Sequence, residues 1–326
     1  MKAPSSRVEP IEGFTALPGC HCVTASFRKM CAFNGYTVSE EMLLGLGAGV
    51  GFVYWHQKGQ YPMLGGRGNT KSFHQDLSRR TGIVIEDHRT SSAKTAEREM
   101  VKLLEAGQPV TIYADMPFLT YLGLPEKAHF GGHAVVVCGY EPAARQVLIS
   151  DMAPRQTGYK DPILAPLGMD QLAKARGSKC KPFPPENCWF TFDFGRAHPP
   201  TERDVRDAIS QCTKDMLNPP IQNLGVAGIR TAAMRVKQWP AVFDKKQLRM
   251  ALFNLYIFRN RRIWRGIVPL HVLPFPGRGS RTDRRFALLR CGARNAGLRR
   301  GLARPGSAPR VRARIGRPGR ACPCGR

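Results

Sequence analysis

The sequence predicts an α+β fold, with helices gathered early, an antiparallel sheet later and a smaller helical region at the end. Three observations carry this expectation. After Cys22 the apolar residues Phe27, Met30, Cys31 and Phe33 fall at mixed three- and four-residue spacing, as on a mostly buried helix. Two β-rich runs, 134–140 and 146–151, are separated only by a short turn, which reads as a hairpin. From Thr201 onward the strand signals stop, and three helical runs follow.

In chain order, 1–13 is an N-terminal lead-in, 11–19 reads as extended, and Pro18-Gly19 sets a turn. The helix from Cys22 should end at Gly35 in a left-handed cap. Ser39 is then an N-cap before Glu40 and Glu41, acids suited to the positive end of a helix dipole. The run Gly45-Leu46-Gly47-Ala48-Gly49 has no preceding strand and no Gly-Lys-Ser/Thr. It reads as a tight crossing of small residues rather than a phosphate loop. A short strand at 52–55, a helix at 72–81, a strand at 83–86 and a charged helix at 91–107 follow. Next come a β-rich run at 109–115, a loop carrying Tyr121 and His129, and the hairpin. A helix at 171–176 and an alternating strand at 188–194 close this part. The helical runs after it cover 201–217, 223–239 and 244–258, the first stopped by Asn218-Pro219-Pro220. The expected domains are 14–198 and 199–258, the second cut short by the tail.

The net charge of +26 is misleading as a guide to partners. Residues 259–326 hold 19 arginines, no lysine and one acid, Asp283, so this tail alone supplies +18. The other 258 residues carry an ordinary surplus. A noncatalytic protein whose basic arm binds nucleic acid is one reading. The other is that Arg, Gly, Pro and Ala without lysine are what GC-rich DNA encodes out of frame, and this one-sided composition favours it. A tail of that origin carries no site, and Cys322-Pro323-Cys324 no metal. Met1 to Pro10 lacks an apolar signal core, no run is long enough to span a membrane, and the ten cysteines include no C-x-x-C. A cytoplasmic protein with reduced thiols is expected.

The chemistry gathers on three residues. A catalytic thiol needs a helix N-terminus or an imidazole to favour the thiolate, and a third group to orient that imidazole. Cys22 stands at a helix start, His133 at the start of the first hairpin strand, and Asp151 at the end of the second. In an antiparallel hairpin those two ends meet. Each residue alone has an ordinary structural reading, and the three together, in the order of papain-like folds, point to a nucleophilic cysteine. Cys20-His21-Cys22 lacks the second Cys/His cluster a zinc site would need, so no metal is expected.

The run GCHCVTASFRKMCAFNGYTVSEEMLLGLGAGVGFVYW, with the later block PVTIYADMPFLTYLGLPEKAHFGGHAVVVCGYEPAARQVLISDMA, resembles the N-terminal domain of the butirosin biosynthesis protein H family. The helical segment from about 201 resembles the domain of unknown function that often follows it. The resemblance implies a papain-like fold and an acyltransferase without a cofactor of its own. The donor would be an acyl carrier protein whose phosphopantetheine arm bears a thioester, and the acceptor a small-molecule amine. Cys22 would take the acyl group, His133 would move the protons, and Asp151 would orient His133. Papain-like peptidases carry a glutamine a few residues before the nucleophile as an oxyanion donor, and residues 14–21 contain none. The Cys22 backbone N–H, with that of His21, is expected in its place. Asp115, Tyr121 and His21 are the expected substrate-binding residues, with His129 a further candidate. A cysteine peptidase or amide hydrolase is the enzymatic alternative.

Overall fold

Antiparallel pairing joins the later strands into one sheet, as the hairpin signal required. A computed structural model describes residues 8–56, 61–153, 160–181 and 183–260. The expected out-of-frame origin of the tail concerns residues that, from 261 on, lie outside these.

The first helix, α1 (Cys22–Phe33), ends where Gly35 takes a positive φ of 74°. Helix α2 (Glu40–Leu46) starts at Ser39, whose side chain accepts from the Met42 N–H. Strands β1 (Val50–Trp55) and β2 (Met63–Arg67) form a separate two-stranded antiparallel sheet. Then come α3 (Phe73–Thr81), β3 (Val84–His88), α4 (Ala93–Glu105) and β4 (Val110–Ala114). Two short 3-10 turns, Met116–Phe118 and Thr120–Leu122, lead into the loop before β5 (His133–Glu141). Strands β6 (Gln146–Met152) and β7 (Pro162–Gly168), helix α5 (Met169–Gly177) and strand β8 (Trp189–Asp193) complete the large sheet region. Its six strands run in the order β3-β8-β4-β5-β6-β7, every pair antiparallel.

Strand β5 is buried on both faces, which explains its unbroken apolar run. Val135 and Val137 join a core with Met100 and Leu104 of α4 and Leu172 of α5. Ala134 and Val136 face the other way, Ala134 into a core with Phe27 of α1 and Val136 onto Met30. The sheet is therefore covered by α1 on one side and by α4 and α5 on the other. This is an α+β arrangement of papain-like type, with the N-terminus of α1 brought to the end of the β5–β6 hairpin.

Two strands escaped the sequence reading. β7 contains Pro162 and Pro166, residues that cannot donate to a ladder, and it is tolerated because it lies at the sheet edge. β2 contains Gly65 and Gly66, which weaken any strand signal, and its pairing with β1 holds it.

The C-terminal helices are α6 (Glu202–Leu217), α7 (Gly225–Val236), α8 (Trp239–Val242) and α9 (Lys245–Asn260); α6 packs on α2, and α6, α7 and α9 pack on the β1–β2 hairpin. Thr201 and Asp204 close a capping box at the start of α6. Arg80, buried on α3, donates to Gln211 of α6 at 2.6 Å, and Gln211 donates to Asp76 at 2.9 Å. The glycine run after α2 is the tight crossing expected: a Cβ on Gly47 would stand 2.3 Å from the Phe73 ring. Gly47→Ala should therefore cost about 1–3 kcal/mol, read as a lowered urea midpoint with an unchanged slope.

Candidate active site

Three elements build the loop that presents Cys22. Gly19 bridges to Lys160 in both directions, its N–H donating at 3.0 Å and its carbonyl accepting at 2.8 Å. The Glu40 carboxylate, fully buried in the first turn of α2, accepts from the Cys20 N–H at 2.8 Å and the His21 N–H at 2.7 Å. It also accepts from Thr24 Oγ1 at 2.8 Å. Burial pushes the Glu40 carboxyl above its ordinary range, and these three hydrogen bonds oppose that rise. The sequence suggested a dipole role for Glu40; the structure gives it the work of clamping the turn before α1. His21 is the N-cap of α1, its ring accepting from the Thr24 N–H. Cys20 is buried while Cys22, at the first helical position, is partly exposed.

His133 and Asp151 meet at the end of the hairpin, where β5 and β6 pair through Val136↔Ser150. His133 Nε2 lies 2.8 Å from Asp151 Oδ2, and both side chains are buried. The Cys22 thiol lies close enough to the ring to help raise its pKa. Since Nε2 faces the carboxylate, Nδ1 is left for the thiol. Burial pulls the imidazole pKa down, but the Asp151 charge and hydrogen bond, with the Cys22 contact, outweigh it and hold His133 up at about 10. Burial likewise pushes Asp151 up, and the His133 charge and hydrogen bond reverse this to leave it below its ordinary range.

Asp151 has further support. Its Oδ1 accepts from the Met152 N–H at 2.7 Å, and its Oδ2 accepts from the Tyr121 hydroxyl at 3.1 Å. Lys29, two turns along α1 from Cys22 and 1 % exposed, donates to the carbonyls of Ser150 at 3.3 Å and Asp151 at 3.5 Å. Burial drives the Lys29 ammonium down to about 8, against the opposing charge of Asp151 and, more weakly, of Glu40. Sequence reading missed Lys29 and the clamping role of Glu40. Only the spacing of Lys29 from Cys22 on one helix hinted at its place.

The expected substrate-binding residues are distributed differently. Tyr121 braces Asp151. Asp115 is fully buried, taking hydrogen bonds from the Phe130 N–H at 2.8 Å and Ser178 Oγ at 2.6 Å, and pairing with His129 Nδ1 at 2.8 Å. It thus pins the loop before β5 to the end of α5. Cys180 stands close enough to Asp115 and His129 for the three donor atoms to lie within 4.8 Å of one another, a grouping their sequence separation concealed. The expectation that the His21 N–H helps bind an oxyanion is corrected, because that N–H is committed to Glu40. A cavity of about 280 Å³ opens beside the start of α1, between the end of β2, α3, β3 and β4. Neither Asp115, Tyr121 nor His21 lines it.

Residues 21–152, the span that contains Cys22, His133 and Asp151, match the family model of the butirosin biosynthesis protein H N-terminal domain. That segment belongs to the family. After this butirosin-H-type segment, residues 170–262 match a domain of unknown function, DUF4872, the partner and order the sequence suggested. This second match takes in α5 and β8, and β8 pairs with β3 and β4 inside the large sheet. No curated protein matches the chain. Among the described residues, no helix is long and apolar enough to cross a membrane.

The proton on His133 is linked to folding. Its pKa rises from an ordinary 6.5 to about 10 on folding, so the stability this gives is full below about pH 6.5 and is lost as the pH rises through about 10. The stability difference between wild type and His133→Asn should shrink over that window, as read by denaturation at successive pH values. Glu40→Ala leaves two backbone donors without their acceptor and should cost about 1–3 kcal/mol. It should also slow alkylation of Cys22 in the still-folded protein.

Proposed function

We propose that the chain is a cysteine-dependent acyltransferase of biosynthesis. It takes an acyl group from the phosphopantetheine thioester of an acyl carrier protein onto Cys22 and passes it to a small-molecule amine in the cytoplasm. The observation that carries this reading is Cys22 at a helix N-terminus beside His133, which is hydrogen-bonded to Asp151, inside a segment whose family is named for a biosynthetic protein.

The chemistry follows from that series. An imidazolium beside a thiol at a helix start favours the thiolate. The Cys22 thiolate attacks the thioester carbonyl, and the tetrahedral oxyanion collapses by expelling the thiolate of the carrier arm. His133 Nδ1 gives its proton to that leaving sulfur, so the acyl-enzyme has a neutral imidazole. An amine then attacks the acyl carbon, His133 Nδ1 takes a proton from its nitrogen, and Cys22 departs as thiolate. The ion pair is restored and no proton is left over. Asp151 stays ionised throughout and keeps Nε2 protonated, which fixes Nδ1 as the working nitrogen. No metal or resident cofactor enters these steps.

Thioester donors suit this site better than peptides do. Residues 14–21 supply no glutamine, and the His21 N–H is occupied, so this loop offers fewer oxyanion donors than a papain-like peptidase has. A thiolate leaves more readily than an amine, so less oxyanion stabilisation is needed.

Intact-mass spectrometry after mixing with a simple thioester tests the reading. One acyl group should appear on wild type and none on Cys22→Ala, and an added amine should discharge it as amide. His133→Asn should lower the acylation rate by about 10²–10⁴-fold. Acylation that survives in Cys22→Ala contradicts the assignment, and discharge to water alone in the presence of amines assigns a hydrolase.

A further inference from the structure

The cavity beside α1 has a chemistry that the transfer steps do not use. Val23 and Phe27 of α1 form one wall, immediately after Cys22, and Tyr113 of β4 links the two places. Tyr113 is half-buried and lies close enough to Arg67 and to Cys22 to feel the charge of both. Three cations line the cavity, Arg67, Lys71 and Arg89, against one carboxylate, Asp87. Asp87 is already engaged, by His74 at 3.0 Å and by Arg89 at 3.1 Å, and Arg89 also pairs with Glu186. Among the described residues Arg67 and Lys71 have no carboxylate partner.

Arg67 is held where it stands. Its guanidinium lies 4.4 Å over the Phe73 ring, and its Nε is buried with no hydrogen-bond partner among the described residues. A cation fixed against an aromatic face, with a buried donor unsatisfied and a cavity before it, fits an incoming anion. A polycationic acceptor is repelled from the same place. The volume, about 280 Å³, lies just below the range of drug-sized ligand pockets and suits a short group.

We infer that this cavity is the subsite for an anionic group, a carboxylate or a phosphate, of the acyl donor, with Arg67 as its anchor and Lys71 beside it. This rests on the acyl-transfer reading and narrows it to donors that bring negative charge to Cys22. The carboxylate source is an acidic acyl group, whose body must lie next to Cys22 once it is bound to the sulfur. The phosphate source is the carrier arm, whose phosphate lies at the far end from the thioester.

Three donors separate these sources: a neutral acyl group on N-acetylcysteamine, succinyl on N-acetylcysteamine, and the neutral acyl group on 4′-phosphopantetheine. On the full chain, at least one anionic donor should acylate Cys22 about tenfold faster than the neutral one, the equivalent of about 1.4 kcal/mol. Preference for succinyl assigns the acyl carboxylate, and preference for phosphopantetheine assigns the arm. Arg67→Met and Lys71→Met should each reduce that preference while leaving the rate with the neutral donor within about threefold, and Arg67→Lys should keep part of it. Equal rates for all three donors in wild type, or a preference that survives Arg67→Met, overturns the inference. If no donor acylates Cys22, the acyl-transfer reading fails, and the subsite is read by thermal shift with succinate or inorganic phosphate alone. A shift in wild type that is absent in Arg67→Met supports an anion site; no such difference refutes it.

Discussion

Asp151 carries its charge with only 2 % of its surface exposed, and the surrounding elements are arranged so that it can. A carboxylate removed from water is unstable unless paired and hydrogen-bonded. Here the imidazole of His133, the Tyr121 hydroxyl and the Met152 N–H approach its two oxygens, and the ammonium of Lys29 lies behind the adjoining carbonyls. Those groups come from β5, a 3-10 turn, β6 and α1. Removing any one leaves a buried charge short of a partner, so the site and the packing of α1 on the hairpin are not separable. Lys29 also shows a conflict resolved in favour of the site: its burial is unfavourable enough to pull its pKa to about 8, yet it sits against Asp151.

A second buried acid does comparable work on the other partner. Glu40 ties the turn of Cys20 and His21 to α2, so the position of the thiol follows from where two helices cross. The far end of α2 is seated in turn where Gly47 meets the Phe73 ring of α3. The chain of contacts from the glycine run to Cys22 explains why a motif resembling a phosphate loop is found in a domain with another use for it. The strand β8 extends the same dependence: it lies in the region matched by the second family, yet it occupies the interior of the sheet that β5 completes. The two matched regions share one core.

Local signals in the sequence were enough for most elements. Gly35 and Ser39 punctuate α1 and α2 where their backbone and capping chemistry dictates, and the turn between β5 and β6 fixed which strand ends would meet. That last point is why His133 and Asp151 were recognisable as neighbours without any contact being visible. Legibility failed where partners lie far apart in sequence. Glu40 looked like any acid in a first helical turn, because its donors are about twenty residues upstream. Arg67, Lys71 and Arg89 are ordinary charges in sequence and form a lined cavity only after β2, α3 and β3 are assembled. Strand β7 was hidden by prolines that an edge position excuses.

The central claim is that His133, held by Asp151, keeps Cys22 ready as a thiolate. The rate of Cys22 alkylation by iodoacetamide as a function of pH tests this most directly, because it needs neither the natural donor nor the acceptor. The account predicts a rate that stays high well below the ordinary cysteine pKa of about 8.5, and that falls there in Asp151→Asn while the fold remains intact. A wild-type rate that rises only near pH 8.5, as for an unassisted thiol, and does not respond to Asp151→Asn would contradict it.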